Sequence, residues 1–231
     1  MRIVIFGASG PTGRLLTDQV LRAGHEAVAV TRRPDAFPDD DKMLTVAGVD
    51  VHDEAAVAAV VAGADAVLSA LGVPYSREPV DTYSRGTSHI VAGMHRHGVR
   101  RLVVVSSSAV DPVSYPGAGF VFNRILQPFM TRVVGKTLYD DMRRMEALVQ
   151  AGDLDWTIVR PGGLYELPAA TDYSMNDGHP GGRFTARVDL AAGMLSLLDD
   201  DRFVRKVVAI TTTSQNPSVL DLIRKEALAR S

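Results

Sequence analysis

Short, unbroken apolar runs alternate with longer amphipathic stretches along most of the chain. Arg2–Phe6 (RIVIF), His25–Val30, Met43–Val46 with Val49-Asp50-Val51 closing it, Ala64–Leu71, Arg101–Val105, Trp156–Val159 and Lys206–Thr211 read as strands. None alternates apolar with polar, which is the pattern of strands covered on both faces. Helical spacing fills the intervals. It opens at Thr12 and ends near Gly24, and it recurs over Asp53–Val61 with Asp53 as N-cap and over Asp81–His97 before Gly98. It returns over Leu138–Gln150, Val188–Leu198 and Ser218–Ala229. A strand–helix rhythm of this kind predicts an α/β fold, a doubly wound parallel sheet with helices on both faces, in a single domain over residues 1–231. Two stretches depart from the rhythm, Asp111–Gly135 and Leu164–Arg187, and are expected to form the substrate region.

The first strand runs without a spacer into Gly7–Gly13 (GASGPTG), and a helix follows at once. Glycines at 7, 10 and 13 permit positive φ, close approach of backbone to a pyrophosphate, and tight packing of helix on strand. The turn also lies at the positive end of the helix, where an anion is favoured. Three glycines alone carry little information; their place between strand and helix makes them a dinucleotide-binding, Rossmann-type signature. Gly7, Ser9, Gly10, Pro11, Thr12 and Gly13 are therefore the expected phosphate cradle. Arg32 and Arg33 follow the second strand, where an acidic residue would bind the ribose 2′-hydroxyl of NAD. Arginine there suits the 2′-phosphate, so NADP is the expected cofactor and NAD the less favoured one.

Composition narrows the classes further. Apolar residues make up 46% of the 231 residues, which suits a globular chain with one substantial core. With 25 basic and 27 acidic residues the net charge is −2, which argues against a nucleic-acid or anionic-membrane surface. The chain has no cysteine, so thiolate nucleophiles and cysteine-based metal sites are excluded, and a reducing cytoplasm is the expected location. With a strand beginning at residue 2, no signal peptide is expected, and Ala118–Val134, broken by polar residues, is not expected to span a membrane. The six histidines form no metal constellation: His95 and His97 point to different helix faces, and His179 sits in a variable loop where it is open to substrate. No metal is expected.

GASGPTG, the arginine after the second strand, AGVDVHD, SALG, VVVSSSAV, LDWTIVRPGGL and RVDLA occur in that order across nearly the whole chain. Together they resemble the atypical short-chain dehydrogenases, the group that includes NmrA-like proteins and biliverdin-IXβ/flavin reductases. The resemblance implies that Gly7, Ser9, Gly10, Thr12 and Gly13 wrap the pyrophosphate and that Arg32 meets the 2′-phosphate. It places Asp50 and Val51 beside the adenine, Leu71 and Gly72 along the ribose, and Ser106–Ser108 with Pro161 and Gly162 around the nicotinamide.

The same resemblance names catalytic candidates. Ser107 and Ser108 stand where a serine hydrogen-bonds a substrate carbonyl, with capping of strand-end backbone as the plainer role. Typical members add a Tyr-x-x-x-Lys pair; here Tyr139 is followed by Arg143, and Met142 falls near the usual lysine position. Arginine cannot share the lysine's proton chemistry, although its charge, one helical turn away, would lower a nearby phenol's pKa. Tyr139 is accordingly either an acid or a packing and substrate-lining residue. Asp189 is expected to cap the helix that opens at RVDLA, and Arg187 to tie down the loop before it, with catalysis as the less favoured role of the two. Phe120, Phe122, Ile125, Leu126, Phe129 and Met130 form an apolar face that is core, substrate lid or dimer surface. The expected activity is NADPH-dependent reduction of an aromatic, quinone-like or flavin-like small molecule, by a monomer or homodimer. A non-catalytic NADP-binding sensor and a non-redox isomerase or cyclase are the alternatives.

Overall fold

A computed structural model describes residues 1–37, 41–76, 78–111, 120, 124–125, 127–178 and 181–214. Ser218–Ala229, His179, Phe122 and Leu126 lie outside these residues.

Each predicted strand forms, within a residue or two of its expected bounds. β1 (Arg2–Phe6), β2 (Glu26–Thr31), β3 (Leu44–Gly48), β4 (Ala66–Ser69), β5 (Arg101–Val105) and β6 (Asp155–Val159) are joined through α1 (Pro11–Arg22), α2 (Glu54–Val61), α3 (Thr82–His97) and α4 (Lys136–Ala151). β7 (Gly163–Tyr165), β8 (Tyr173–Asp177), β9 (Phe184–Ala186), α5 (Arg187–Ser196) and β10 (Lys206–Thr212) complete the described fold. The main sheet has eight strands in the order β3-β2-β1-β4-β5-β6-β10-β8. All pairs are parallel except β8 with β10.

Unbroken apolar strands are explained by two cores, one on each face. Val4 and Phe6 of β1 point into a layer with Val57 and Val61 of α2, Ile90 and Met94 of α3, and Met142 and Met145 of α4. Ile3 and Ile5 point the other way, into a layer with Leu16 and Val20 of α1 and Leu190 and Met194 of α5. Successive side chains of a strand face opposite sides, so a strand buried on both can spare no polar position.

Capping follows the sequence at α2, where Asp53 accepts from the Ala56 N–H at 3.0 Å. At α3 it does not. Asp81 makes no cap bond with its side chain. Instead Asp141 of α4, fully buried, accepts from the Tyr83 and Ser84 N–H groups at 2.8 and 3.3 Å and from the Ser84 hydroxyl. Gly98 ends α3 in the left-handed conformation, φ 70°.

The stretch expected as one irregular excursion after β6 carries three strands. β7 and β9 form a separate parallel pair, and β8 becomes the antiparallel edge strand. The Thr185 hydroxyl donates to Ile210 O and the Ala186 N–H to the Thr212 hydroxyl, docking this segment on β10. Asp189 does not cap its own helix: its buried carboxylate accepts from the Thr171 N–H and hydroxyl and from the Thr212 hydroxyl at 2.6–2.9 Å. In the earlier excursion, Phe120, Ile125 and Phe129 are 72%, 58% and 52% exposed, so these members of the apolar face do not belong to the core.

Candidate functional site

The sheet order reverses between β1 and β4, and the crevice beyond the carboxyl ends of the strands opens there. Register lines those ends up: Phe6 pairs with Val30 and Ser69, Ser69 with Val104, and Val105 with Val159. The sites named from the sequence lie along this edge, about 19 Å from β2 to β6 at ordinary strand spacing.

The glycine turn sits in the middle. Gly7 adopts φ +75°, and a Cβ there would lie 2.5 Å from Ala70 O and 2.9 Å from Leu71 N. It is therefore pressed against the end of β4, which brings Leu71 and Gly72 beside the turn. A Cβ on Gly13 would lie 2.1 Å from Gly7 O, so this glycine is what lets α1 seat on β1. Gly10 differs. Its Cβ would meet only Gly7 O, at 3.3 Å, leaving open space ahead of the helix. Gly10 is the N-cap residue and Pro11 the first of the helix, so the first-turn N–H groups of Thr12 and Gly13 have no intrahelical acceptor. A turn with open space before unpaired donors fits a diphosphate.

On one side, Val49 N–H donates to Thr31 O at 3.0 Å and draws the end of β3 to that of β2. Asp50 is thereby set near Arg32. The pKa of its carboxyl is lowered chiefly by the His52 N–H; burial opposes this, and the His52 ring and the Arg32 charge lower it further. Arg32 and Arg33 are exposed, and Val51 is buried.

On the other side, Ser106 N–H donates to Val159 O at 2.7 Å and Ser108 N–H to Pro161 O at 3.0 Å. These bonds extend the β5–β6 pairing past the strands and bring Ser106–Ser108 against Pro161 and Gly162. The Ser106 hydroxyl is buried with no hydrogen-bond partner among the described residues. The Ser107 hydroxyl accepts from the Ala109 N–H at 3.2 Å and lies close enough to the Tyr139 phenol to favour its ionised form slightly.

Tyr139 and Ser107 are thus neighbours, but among the described residues no cation is paired with them. Arg143 turns away: its Nε donates to Val110 O at 3.0 Å and a terminal nitrogen pairs with Asp140 at 2.7 Å. Lys136 is also committed to Asp140. The charge expected to lower the Tyr139 pKa is therefore spent elsewhere. Burial pushes the phenol well above its ordinary value, and the neighbouring Tyr75 adds to this. Tyr75, a residue that the sequence did not single out, has its hydroxyl 2.8 Å from that of Tyr139, with the rings edge-on at 6.3 Å. Gly135 makes room for both rings, since a Cβ there would lie 2.5 Å from Tyr139 and 2.9 Å from Tyr75. Nothing local marks Tyr75; its pairing spans 64 residues.

The remaining candidates lie apart from this cluster. His52 bridges Asp50 and Asp81, His95 pairs with Asp153, and His89 bonds Val51 O. Among the described residues no helix is long and apolar enough to cross a membrane.

Comparison with known proteins bears on the fold and the family. An uncharacterised chloroplast protein of Arabidopsis thaliana is 29% identical over 180 residues, 72% of this chain and 60% of its own length. The 2-alkyl-3-oxoalkanoate reductase of Stenotrophomonas maltophilia is 31% identical over 119 residues, 48% of this chain and 34% of that one. An uncharacterised Mycobacterium tuberculosis protein is 35% identical over 108 residues, 46% of this chain; the aligned part spans only 12% of that relative's length. Among solved structures, a Veillonella parvula short-chain dehydrogenase/reductase in complex with NADP superposes with a TM-score of 0.76 at 20% identity, covering 94% of this chain and 98% of that one. ChuY, an anaerobillin reductase from Escherichia coli O157:H7, gives 0.74 at 21% identity, covering 94% and 100%. At such identities these two likenesses speak to the fold. A family model described as NAD(P)H-binding matches residues 7–201, from the glycine turn to beyond α5, and the chain belongs to that family.

Proposed function

We propose that this chain is an NADPH-dependent reductase of an aromatic, quinone-like or flavin-like small molecule. The observation that carries the reading is the hydroxyl cluster of Ser107, Tyr139 and Tyr75, set at the end of β5 where a nicotinamide would lie beside Ser106–Ser108 and Pro161-Gly162. Bound NADPH supplies the hydride. The protein's part is to hold the cofactor and the acceptor in register and to solvate the oxygen on which charge develops. Gly7–Gly13 cradle the diphosphate, and Arg32, backed by Arg33, takes the 2′-phosphate. Asp50 and Val51 flank the adenine, and Leu71 and Gly72 the ribose.

Ser107 and Tyr139 then act as neutral donors to a substrate oxygen. Burial keeps the Tyr139 phenol protonated and reluctant to give its proton up. Such a pair orients a carbonyl well and serves poorly as an acid. Substrates that need little protonation are favoured: conjugated rings whose reduced form is itself acidic, with the proton drawn from water. The exposed apolar side chains Phe120, Ile125 and Phe129 precede α4 and suit a flat, apolar acceptor.

The engagement of Arg143 and Lys136 away from Tyr139 also suits a non-catalytic NADP sensor. A screen of NADPH oxidation against flavins, quinones and aldehydes separates the two. Turnover with flavins or quinones supports the reductase; tight NADPH binding with no turnover of any acceptor supports the sensor.

A further inference from the structure

The start of α5 holds a cation that the cofactor site, as read above, does not use. Arg187 is the first residue of α5, and a terminal guanidinium nitrogen lies 3.2 Å from the Thr12 hydroxyl, 175 residues away. Thr12 is the second residue of α1. The guanidinium therefore stands beside the unpaired first-turn donors of the glycine turn. Two helix N-termini and a permanent cation converge here, each a source of positive potential.

What balances that potential is slight. Asp189, in the same first turn of α5, is committed to Thr171 and Thr212. Glu166 places a carboxylate oxygen 2.8 Å from Arg187 Nε, but its side chain is 62% exposed. The contact also lacks hydrogen-bond alignment, and Nε is closed to solvent with no hydrogen-bond partner among the described residues. A buried guanidinium N–H in this state wants a better-placed anion.

We propose that Arg187 is a cofactor-binding residue. Its guanidinium engages the diphosphate of NAD(P)H at the start of α1, and Glu166 is the internal carboxylate that holds the arginine until the diphosphate replaces it. The assignment rests on the cofactor site described above. It differs from Arg32 in kind: the diphosphate is common to both nucleotides, so Arg187 adds affinity without choosing between them. Glu166, sitting on the β7–β9 segment, gives that segment an electrostatic link to cofactor occupancy.

Calorimetric titration of the full chain with NADPH and with NADH tests this. Arg187→Gln should weaken both by the same factor, roughly ten- to a hundredfold for a charge-assisted contact. Arg187→Lys keeps the charge but loses the planar fork, and should recover part of the loss. Glu166→Gln should tighten binding by up to about fivefold, the range of an exposed ion pair. That gain should vanish in the Arg187→Gln background, because it acts through the arginine. Unchanged binding in folded Arg187→Gln, or an equal gain from Glu166→Gln without Arg187, would overturn the assignment. Should Arg187→Gln fail to fold, Glu166→Gln decides, and no gain there overturns it. A wild-type chain that binds neither nucleotide removes the site itself and this assignment with it.

Discussion

Gly10→Val is the cleanest probe of the dinucleotide site, because the structure separates its effect on binding from any effect on folding. Gly10 has φ −70° and ψ 163°, an extended conformation open to any residue. A Cβ there meets only Gly7 O, at 3.3 Å, a contact relieved if that carbonyl gives by a few tenths of an ångström. Neither neighbouring glycine offers this. Gly7 carries φ +75° and a Cβ on it would lie 2.5 Å from Ala70 O, while one on Gly13 would lie 2.1 Å from Gly7 O. Substitution at either would disturb the turn before any ligand arrived. At Gly10 the valine methyls would fill the open space in front of the first-turn N–H groups of Thr12 and Gly13. If the diphosphate loses those two charge-assisted hydrogen bonds, at about 1.5–3 kcal/mol each, affinity falls by about 3–6 kcal/mol, or roughly 10²–10⁴-fold. Thermal melting and calorimetric titration with NADPH read the two effects separately. The expected result is a melting temperature near that of the wild type and no measurable binding. A mutant that melts normally and also binds normally would refute the location of the cofactor.

Arg32→Ala should weaken NADPH binding by roughly ten- to over a hundredfold and leave NADH binding nearly unchanged, since only NADPH has a 2′-phosphate; equal losses in parallel titrations would reject NADP as the preferred cofactor. Tyr139→Phe should cost less than about tenfold in turnover, below the 10²–10⁴-fold of a positioned acid, and Ser107→Ala should cost more. Steady-state rates on one accepted substrate decide this, and a near-dead Tyr139→Phe beside a healthy Ser107→Ala would restore a tyrosine acid. Gly135→Ala should force the Tyr75 and Tyr139 rings apart and destabilise the chain by about 1–3 kcal/mol, as overpacking does; an unchanged melting temperature would show that the rings give way freely. Because the Tyr139 phenol is pushed up on folding, the folded chain keeps a proton that the unfolded chain releases near pH 10. The resulting stability is complete below about pH 10 and is lost as pH rises further, so Tyr139→Phe should flatten the alkaline limb of stability against pH.

The strands, the glycine turn and the Asp53 cap were legible because each is settled by residues adjacent in the chain. An unbroken apolar run reads as a strand buried on both faces, and Val4 with Phe6 and Ile3 with Ile5 do enter opposite cores. Glycines at 7, 10 and 13 could be read as a phosphate turn, but only their surroundings gave them different duties. Close backbone contact constrains Gly7 and Gly13, whereas Gly10 faces open space. β8 was not legible. Its sequence, YSMND, has no apolar run, and it exists as a half-buried edge strand because β10 offers it a partner.

Side-chain partnerships were decided by the tertiary structure. One helical turn separates Tyr139 from Arg143, and the sequence alone therefore brings a charge near the phenol. Packing turns that arginine to Asp140 and Val110 and gives the phenol Tyr75 instead. Asp81 stands at the N-terminus of α3, yet Asp141 supplies the cap from 58 residues away. Arg187 reaches Thr12 because the sheet order places α5 beside α1 on one face, with both helices starting at the same edge. Local pattern sets which backbone conformation a segment prefers. Which charge meets which hydroxyl depends on how segments far apart in the chain are stacked, and no local pattern encodes that distance.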